Sequence, residues 1–191
     1  LGVIKNGEGS VGRKKVATYS AAASIAAGSQ TLVEKTDLAI SDFTSAKCWE
    51  PKNPYLYEIE VVLPSDTFTR RFGMKEFHFD SETKLPMLNG KVYYLRGTNI
   101  APYRFFEDPD RGSYPWNEEW ARQVLSEFKE INWEIFRTHN GPMPSMWLDI
   151  CDEVGMMLVD EYAIWGKCSK CTTETLLPEY RAMVEEKQTN A

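Results

Sequence analysis

Polar side chains suited to holding a hydroxyl-rich molecule fall in groups along the chain, each just after a short apolar run. They are Arg96 and Asn99, then His139 and Asn140, then Asp160 and Glu161, with Trp165 a few residues beyond. Arg, Asn, Asp and Glu supply directional hydrogen bonds, and an indole can cover the apolar face of a ring. Each residue also has a plain structural reading. Arg96 paired with Asp160 or Glu161 would be an ion-pair network beneath a site, His139 a hydrogen-bonded core histidine, and Trp165 a packing residue. Trp116, Trp120, Trp133 and Trp147 lie in or beside expected helices and read as packing residues, with no ligand assigned. Cys168-Ser-Lys-Cys171 is one C-x-x-C with no second pair and no nearby histidine. It reads as a loop with two thiols rather than a zinc or redox centre, so no metal or cofactor is assigned.

These groups need strands to carry them. The chain has 191 residues, 42% hydrophobic and 13% aromatic, enough to bury a sizeable core as one domain or two small ones. Its net charge of -6 argues against nucleic acid as a partner, because phosphate binding needs clustered Lys and Arg. No apolar run approaches the roughly 20 residues of a membrane-spanning helix, so no membrane partner is expected. The chain starts at Leu1 without a basic, then apolar, leader, so an export signal is expected only upstream and the compartment stays open.

Two grammars follow one another. Residues 1–82 read as short β-rich runs between turn signals: Thr31 to Ile40, the Trp49-to-Pro54 turn, Tyr55 to Leu63 with Ile59, Val61 and Leu63 alternating, and Thr67 to Phe79. That is the pattern of an immunoglobulin-like β-sandwich, and with so few strands it is expected to be truncated at the front. The stretch up to Ala27 gives no clear element. Residues 83–191 read as alternating strand and helix. The expected elements are a strand at Val92 to Leu95, a helix behind Asn117, a strand at Ile135 and Phe136, and a helix opened by Pro144 and ended by Gly155. A strand at Met156 to Val159 and a helix from Thr175 to about Lys187 complete the series. Strands separated by helices pair in parallel with right-handed crossovers. Three such strands fall short of the eight that close a barrel of about 250 residues, so truncation at the back is expected too. An unclosed sheet with bare edges is expected to self-associate.

Specific runs add a resemblance. Trp49-Glu50-Pro51-Lys52-Asn53-Pro54-Tyr55-Leu56-Tyr57 resembles the W-x-P-x-x-P-x-L-Y signature near the end of the sandwich domain in family 2 glycoside hydrolases, which include β-galactosidases, β-glucuronidases and β-mannosidases. In the family's order follow Phe72-Gly73, the Leu88-Asn89-Gly90-Lys91 hairpin and Leu95-Arg96-Gly97-Thr98-Asn99, similar to the run closing barrel strand one. Arg137-Thr138-His139 stands at the end of strand two, and Cys151 to Met156 leads to Val159-Asp160-Glu161 at the end of strand three. The matches span residues 49 to 166.

The resemblance implies the first three β/α units of a TIM barrel, whose sites form just past the carboxyl ends of the strands. Arg96, Asn99, His139, Asn140, Asp160, Glu161 and Trp165 are then expected to contact a carbohydrate substrate, and the remaining barrel strands of the parent chain would be this segment's partners. It also implies a retaining mechanism with two carboxyl groups about 5 to 5.5 Å apart, both glutamates, placed after strands beyond Ala191. No catalytic residue is assigned within this chain. Asp160 and Glu161 leave their strand to opposite sides and do not make that pair. Asn117-Glu118 opens a helix and reads as a cap.

Departures limit the substrate. Ala101 stands where several members have histidine, His139-Asn140-Gly141-Pro142 replaces S-H-Y-P, and Tyr162 to Gly166 lacks the ligands of the magnesium-binding branch. The run Tyr103 to Gly112 is expected over the barrel mouth, where it could shape a sugar subsite. A non-catalytic carbohydrate-binding or structural sandwich protein is the competing reading.

Overall fold

The structure, a computed structural model, describes residues 2–7, 15–30, 46–164 and 172–190. The chain forms two compact units. The first takes residues 1–48 and 55–74, the second 49–54 and 75–191.

The first unit is a four-stranded antiparallel sheet in the order β2-β1-β3-β4, with β1 at Gly2–Gly7, β2 at Lys15–Tyr19, β3 at Leu56–Val62 and β4 at Thr67–Gly73. β1 and β2 lie in the stretch that gave no clear signal. Pairing creates them: Ile4 stands opposite Ile59 and Gly2 opposite Val61, so β3 is the template on which β1 forms. Tyr55 and Tyr57 make the buried centre, and the Tyr57 ring stacks on Phe72 at 5.8 Å. The Tyr57 hydroxyl accepts a hydrogen bond from the Lys47 amide at 2.9 Å, and burial pushes its pKa up. The expected inward alternation stops short of Leu63, which is exposed in the turn closed by its amide on the Asp66 carbonyl at 2.8 Å. Thr31 to Ile40 lies outside the described residues.

The expected run from Thr67 to Phe79 is two strands. Its second part, β5 at Phe77–Phe79, belongs to the second unit and pairs antiparallel with β6 at Pro86–Leu88, which pairs with β7 at Lys91–Val92. Asn89 and Gly90 both have positive φ, 48° and 75°, the two-residue turn that an Asn-Gly pair favours.

Three parallel strands follow in the order β10-β9-β8: β8 at Gly97–Ile100, β9 at Ile135–Thr138 and β10 at Met157–Val159. The strand expected at Val92 to Leu95 is therefore displaced. Tyr94 and Leu95 are exposed, and the chain enters the sheet only at Gly97, where a Cβ would overlap the Ile135 carbonyl. Glycine permits that approach where the apolar run does not.

The connecting helices are α1 at Tyr103–Phe106, α2 at Glu118–Glu130 and α3 at Met146–Val154, with α4 at Thr173–Asn190 after β10. A single 3-10 turn at Tyr114–Trp116 precedes α2. Asn117 caps α2 by accepting the Trp120 amide at 2.9 Å, as its residue type suggests. Gly155 ends α3 in the left-handed conformation at φ 77°. The core between helices and sheet is Ile100, Ala121, Leu125, Phe136, Met143, Trp147, Ile150, Cys151 and Met156. Burying each of the larger side chains contributes about 1.5–3 kcal/mol. Trp147 keeps its indole N–H satisfied by donating to the Pro115 carbonyl at 2.7 Å.

Residues 49–54 close the amino-terminal end of this parallel sheet. Trp49 is fully buried, donates its indole N–H to the Asp152 carbonyl at 2.8 Å, and accepts the Asn89 side-chain amide on its own carbonyl at 2.9 Å. The Lys75 ammonium sits 4.5 Å above its ring. A Cβ on Gly155 would overlap the Pro51 carbonyl, so glycine is required there by conformation and by space. Lys129 binds the Pro51 and Gly155 carbonyls at 2.8 and 3.0 Å and lies 3.9 Å from Glu134, which accepts the Tyr93 hydroxyl. Burial pushes the Lys129 ammonium down and, helped by Glu134, holds the Tyr93 phenol far above its ordinary range.

Candidate functional site

Strand alternation sorts the polar residues of the parallel sheet onto two faces. Ile100, Phe136 and Leu158 face the helices, so Asn99, Arg137 and Val159, which stand in register with one another, face away. Glu161, two residues beyond Val159, reaches that same side.

There Glu161 accepts from Arg137 at 2.6 Å through one carboxylate oxygen, while the other lies 3.3 Å from His139 Nδ1. All three side chains are partly exposed, at 24% for Glu161, 40% for Arg137 and 27% for His139, so the cluster is reachable yet held. Desolvation alone would raise the Glu161 pKa, but the hydrogen bonds and charges of Arg137 and His139 outweigh it and keep the carboxyl below its ordinary value. The cluster is fixed from behind. Thr138, fully buried, donates to Asp160 at 3.1 Å and accepts the Glu161 amide at 2.8 Å, and the His139 amide donates to the Ile100 carbonyl at 2.7 Å. Such a cluster offers a carboxylate, a guanidinium and an imidazole side by side, a set that donates to and accepts from vicinal hydroxyls.

The expected site residues divide accordingly. His139 and Glu161 come together. Asn99 stands exposed on the same face, opposite Arg137 in register. Asp160 turns to the helix side, where it accepts from Thr138 and from the Met143 amide at 3.3 Å, and so anchors the strand end. Arg96 is a correction: it precedes β8, at the opposite end of the sheet, where its carbonyl accepts the Glu134 amide at 2.9 Å. It therefore closes no strand and pairs with neither Asp160 nor Glu161 in the manner expected. Asn140 is half-buried with its side-chain oxygen buried and unbonded, beside Gly141 at φ 141°. Trp165 lies outside the described residues, as do Cys168 and Cys171; Cys48 and Cys151 are free thiols. The residue that sequence reasoning missed is Arg137, and the signal was present: it sits two residues before His139, on the same pleat face.

Trp116 is a second correction. It does not pack inside but is 58% exposed, stacked on the equally exposed Phe106 at 5.3 Å. Trp120 and Trp147 do pack, ring against ring at 5.8 Å, and Trp133 lies on Phe128. A cavity of about 410 Å³, walled mostly by apolar groups of Trp49, Leu148, Cys151, Met156, Tyr180 and Met183, also reaches Asp160.

A parallel sheet with a charged cluster past its strand ends is an arrangement of α/β enzymes, and comparison with known proteins relates it to a family. The model of "Glycosyl hydrolases family 2" matches residues 2–75. The β-galactosidase of Thermoanaerobacterium thermosulfurigenes is 31% identical over 133 residues, covering 66% of this chain and 17% of that protein. The β-glucuronidase structure from Parabacteroides merdae superposes with a TM-score of 0.61 at 24% identity, covering 87% of this chain and 20% of that one. A β-glucuronidase from Ruminococcus gnavus in complex with uronic deoxynojirimycin gives 0.61 at 25% identity, covering 76% of this chain and 25% of that one. By its family-model match and its relatives the chain is similar to glycosyl hydrolase family 2 proteins, and the matched region spans about a sixth of the length of the β-galactosidase relative.

Proposed function

We propose that this chain supplies part of the sugar pocket of a retaining glycosidase acting on β-linked, non-reducing-end sugars. In this reading an immunoglobulin-like sandwich passes into the first three β/α units of a TIM barrel, changing over between Met74 and residue 83. Arg137, His139 and Glu161 bind hydroxyls of the glycone, with Asn99 and Asn140 beside them, while the acid/base and nucleophile glutamates come from other parts of the longer protein. The observation that carries the reading is the convergence of Arg137 and His139 on the Glu161 carboxylate at the carboxyl end of the sheet. Glu161 does not act as the nucleophile: it is engaged by two donors, and its neighbouring carboxylate faces the other way.

Relatives named both β-galactosidase and β-glucuronidase support the class of reaction and leave the sugar open. The test is an assay of the full-length protein on aryl β-galactosides, β-glucuronides and β-mannosides. Turnover on at least one, reduced about 10- to 100-fold in kcat/KM by Glu161→Gln, is the expected result. A well-folded full-length protein inert on every sugar would instead favour the non-catalytic carbohydrate-binding reading.

A further inference from the structure

We propose that Phe106 and Trp116 form an aromatic platform that stacks on the second pyranose ring of a β-linked oligosaccharide, next to the ring held by Arg137, His139 and Glu161. The proposal rests on the sugar-pocket reading above and adds a subsite to it.

The pair is built, not incidental. Its rings lie 5.3 Å apart at 28°, yet Phe106 remains 57% and Trp116 58% exposed, so each keeps a wide apolar surface in solvent. Exposed aromatic area of this kind marks binding surfaces. The neighbouring residues are anchored. Phe105 packs on Trp120 at 5.1 Å and on Tyr114 at 6.4 Å, Trp120 packs on Trp147, and Pro115 is buried with its carbonyl taken by the Trp147 indole. Both platform rings therefore project from backbone that the core holds still, which lowers the entropy lost when a ligand stacks on them.

Continuity with the site names the occupant. Tyr103 and Phe106 are three residues apart on α1 and share a face. The Tyr103 ring meets His139 edge-on at 6.3 Å, and the Arg104 guanidinium lies over Tyr103 at 5.1 Å. An aromatic path thus runs from the histidine beside Glu161, by way of Tyr103, to Phe106 and Trp116. A ligand that leaves the polar cluster along this path meets flat apolar faces edged by charged groups, which suits a pyranose, with an apolar face and a polar rim.

The test is calorimetric titration of the full-length protein, its acid/base glutamate changed to Gln so that the ligands are not cleaved, with methyl β-D-galactoside and lactose, and with methyl β-D-glucuronide and a β-linked glucuronyl disaccharide. Sedimentation velocity checks self-association. For the sugar that binds, the disaccharide is expected to bind about tenfold more tightly than the methyl glycoside. Trp116→Ala and Phe106→Ala should each bring that ratio toward one, while Trp116→Phe keeps most of it. Equal affinity for the two ligands with both rings in place overturns the platform and leaves the sugar pocket standing. So does a ratio that survives Trp116→Ala, or self-association that this substitution abolishes. Binding of neither ligand overturns both readings.

Discussion

At the amino-terminal end of the β8–β9–β10 sheet, Lys129, Glu134 and Tyr93 hold one another and the carbonyls of Pro51 and Gly155. At the carboxyl-terminal end, Arg137, His139 and Glu161 hold one another on a face where Asn99 and Val159 stand exposed. Both ends use a basic residue against a glutamate. At the first, the basic group ties down backbone and Trp49 seals the end; at the second, the charges stay within reach of a ligand. Residue type alone does not separate a fastener from a binding group. What separates them is whether the polar atoms end on main chain or on other accessible side chains.

Substitutions at the two ends should therefore read out differently, stability at one and titration or ligand capture at the other. Trp49→Ala removes a fully buried ring and is expected to destabilise the protein by about 3–5 kcal/mol in urea unfolding followed by circular dichroism. Gly155→Ala places a strained left-handed residue against Pro51 and should cost about 3 kcal/mol, read as a lower thermal midpoint. Lys129→Met strands two carbonyls and should cost about 1–3 kcal/mol by the same urea measurement. A loss near zero there would make the network incidental and erase the contrast.

The smallest effect belongs to the other end. Arg137→Met should let the Glu161 carboxyl rise toward its ordinary value of 4.5, followed by the pH dependence of its side-chain carbon resonance in NMR. The sign follows from linkage. A carboxyl depressed in the folded state stabilises the fold above its ordinary pKa, and that contribution fades as pH falls through the lower folded value. Arg137→Met should weaken this acid-side slope, and an unchanged Glu161 titration would show that the ion pair does not form in solution.

Much of the second unit was legible in the sequence. Asn117 announced α2 and Gly155 ended α3, because caps depend on local chemistry, while the hairpin at Asn89-Gly90 was expected from the family resemblance. Local chemistry also explains the failures. β1 exists because β3 pairs with it, and β2 because β1 does, which no local signal records. Arg96 was misplaced because the apolar run Val92 to Leu95 looked more strand-like than Gly97 to Ile100, whose glycine is chosen for closeness to Ile135. Arg137 was overlooked because alternation gives two faces without saying which is covered, and only the packing of Phe136 and Ile100 decides that. Asp160 and Glu161 were correctly read as diverging, since adjacent residues leaving a strand must do so.

The Trp49-to-Pro54 loop belongs to the second unit although the chain on both sides of it belongs to the first. This interleaving sets a clock on synthesis. The carbonyl that receives the Trp49 indole is 103 residues further along, so at ribosomal rates of about 5–20 residues per second Trp49 waits roughly 5 to 20 s for its acceptor to be made. Through that interval its ring has no mature seat. The signature segment of this chain is therefore made well before it can reach its final contacts.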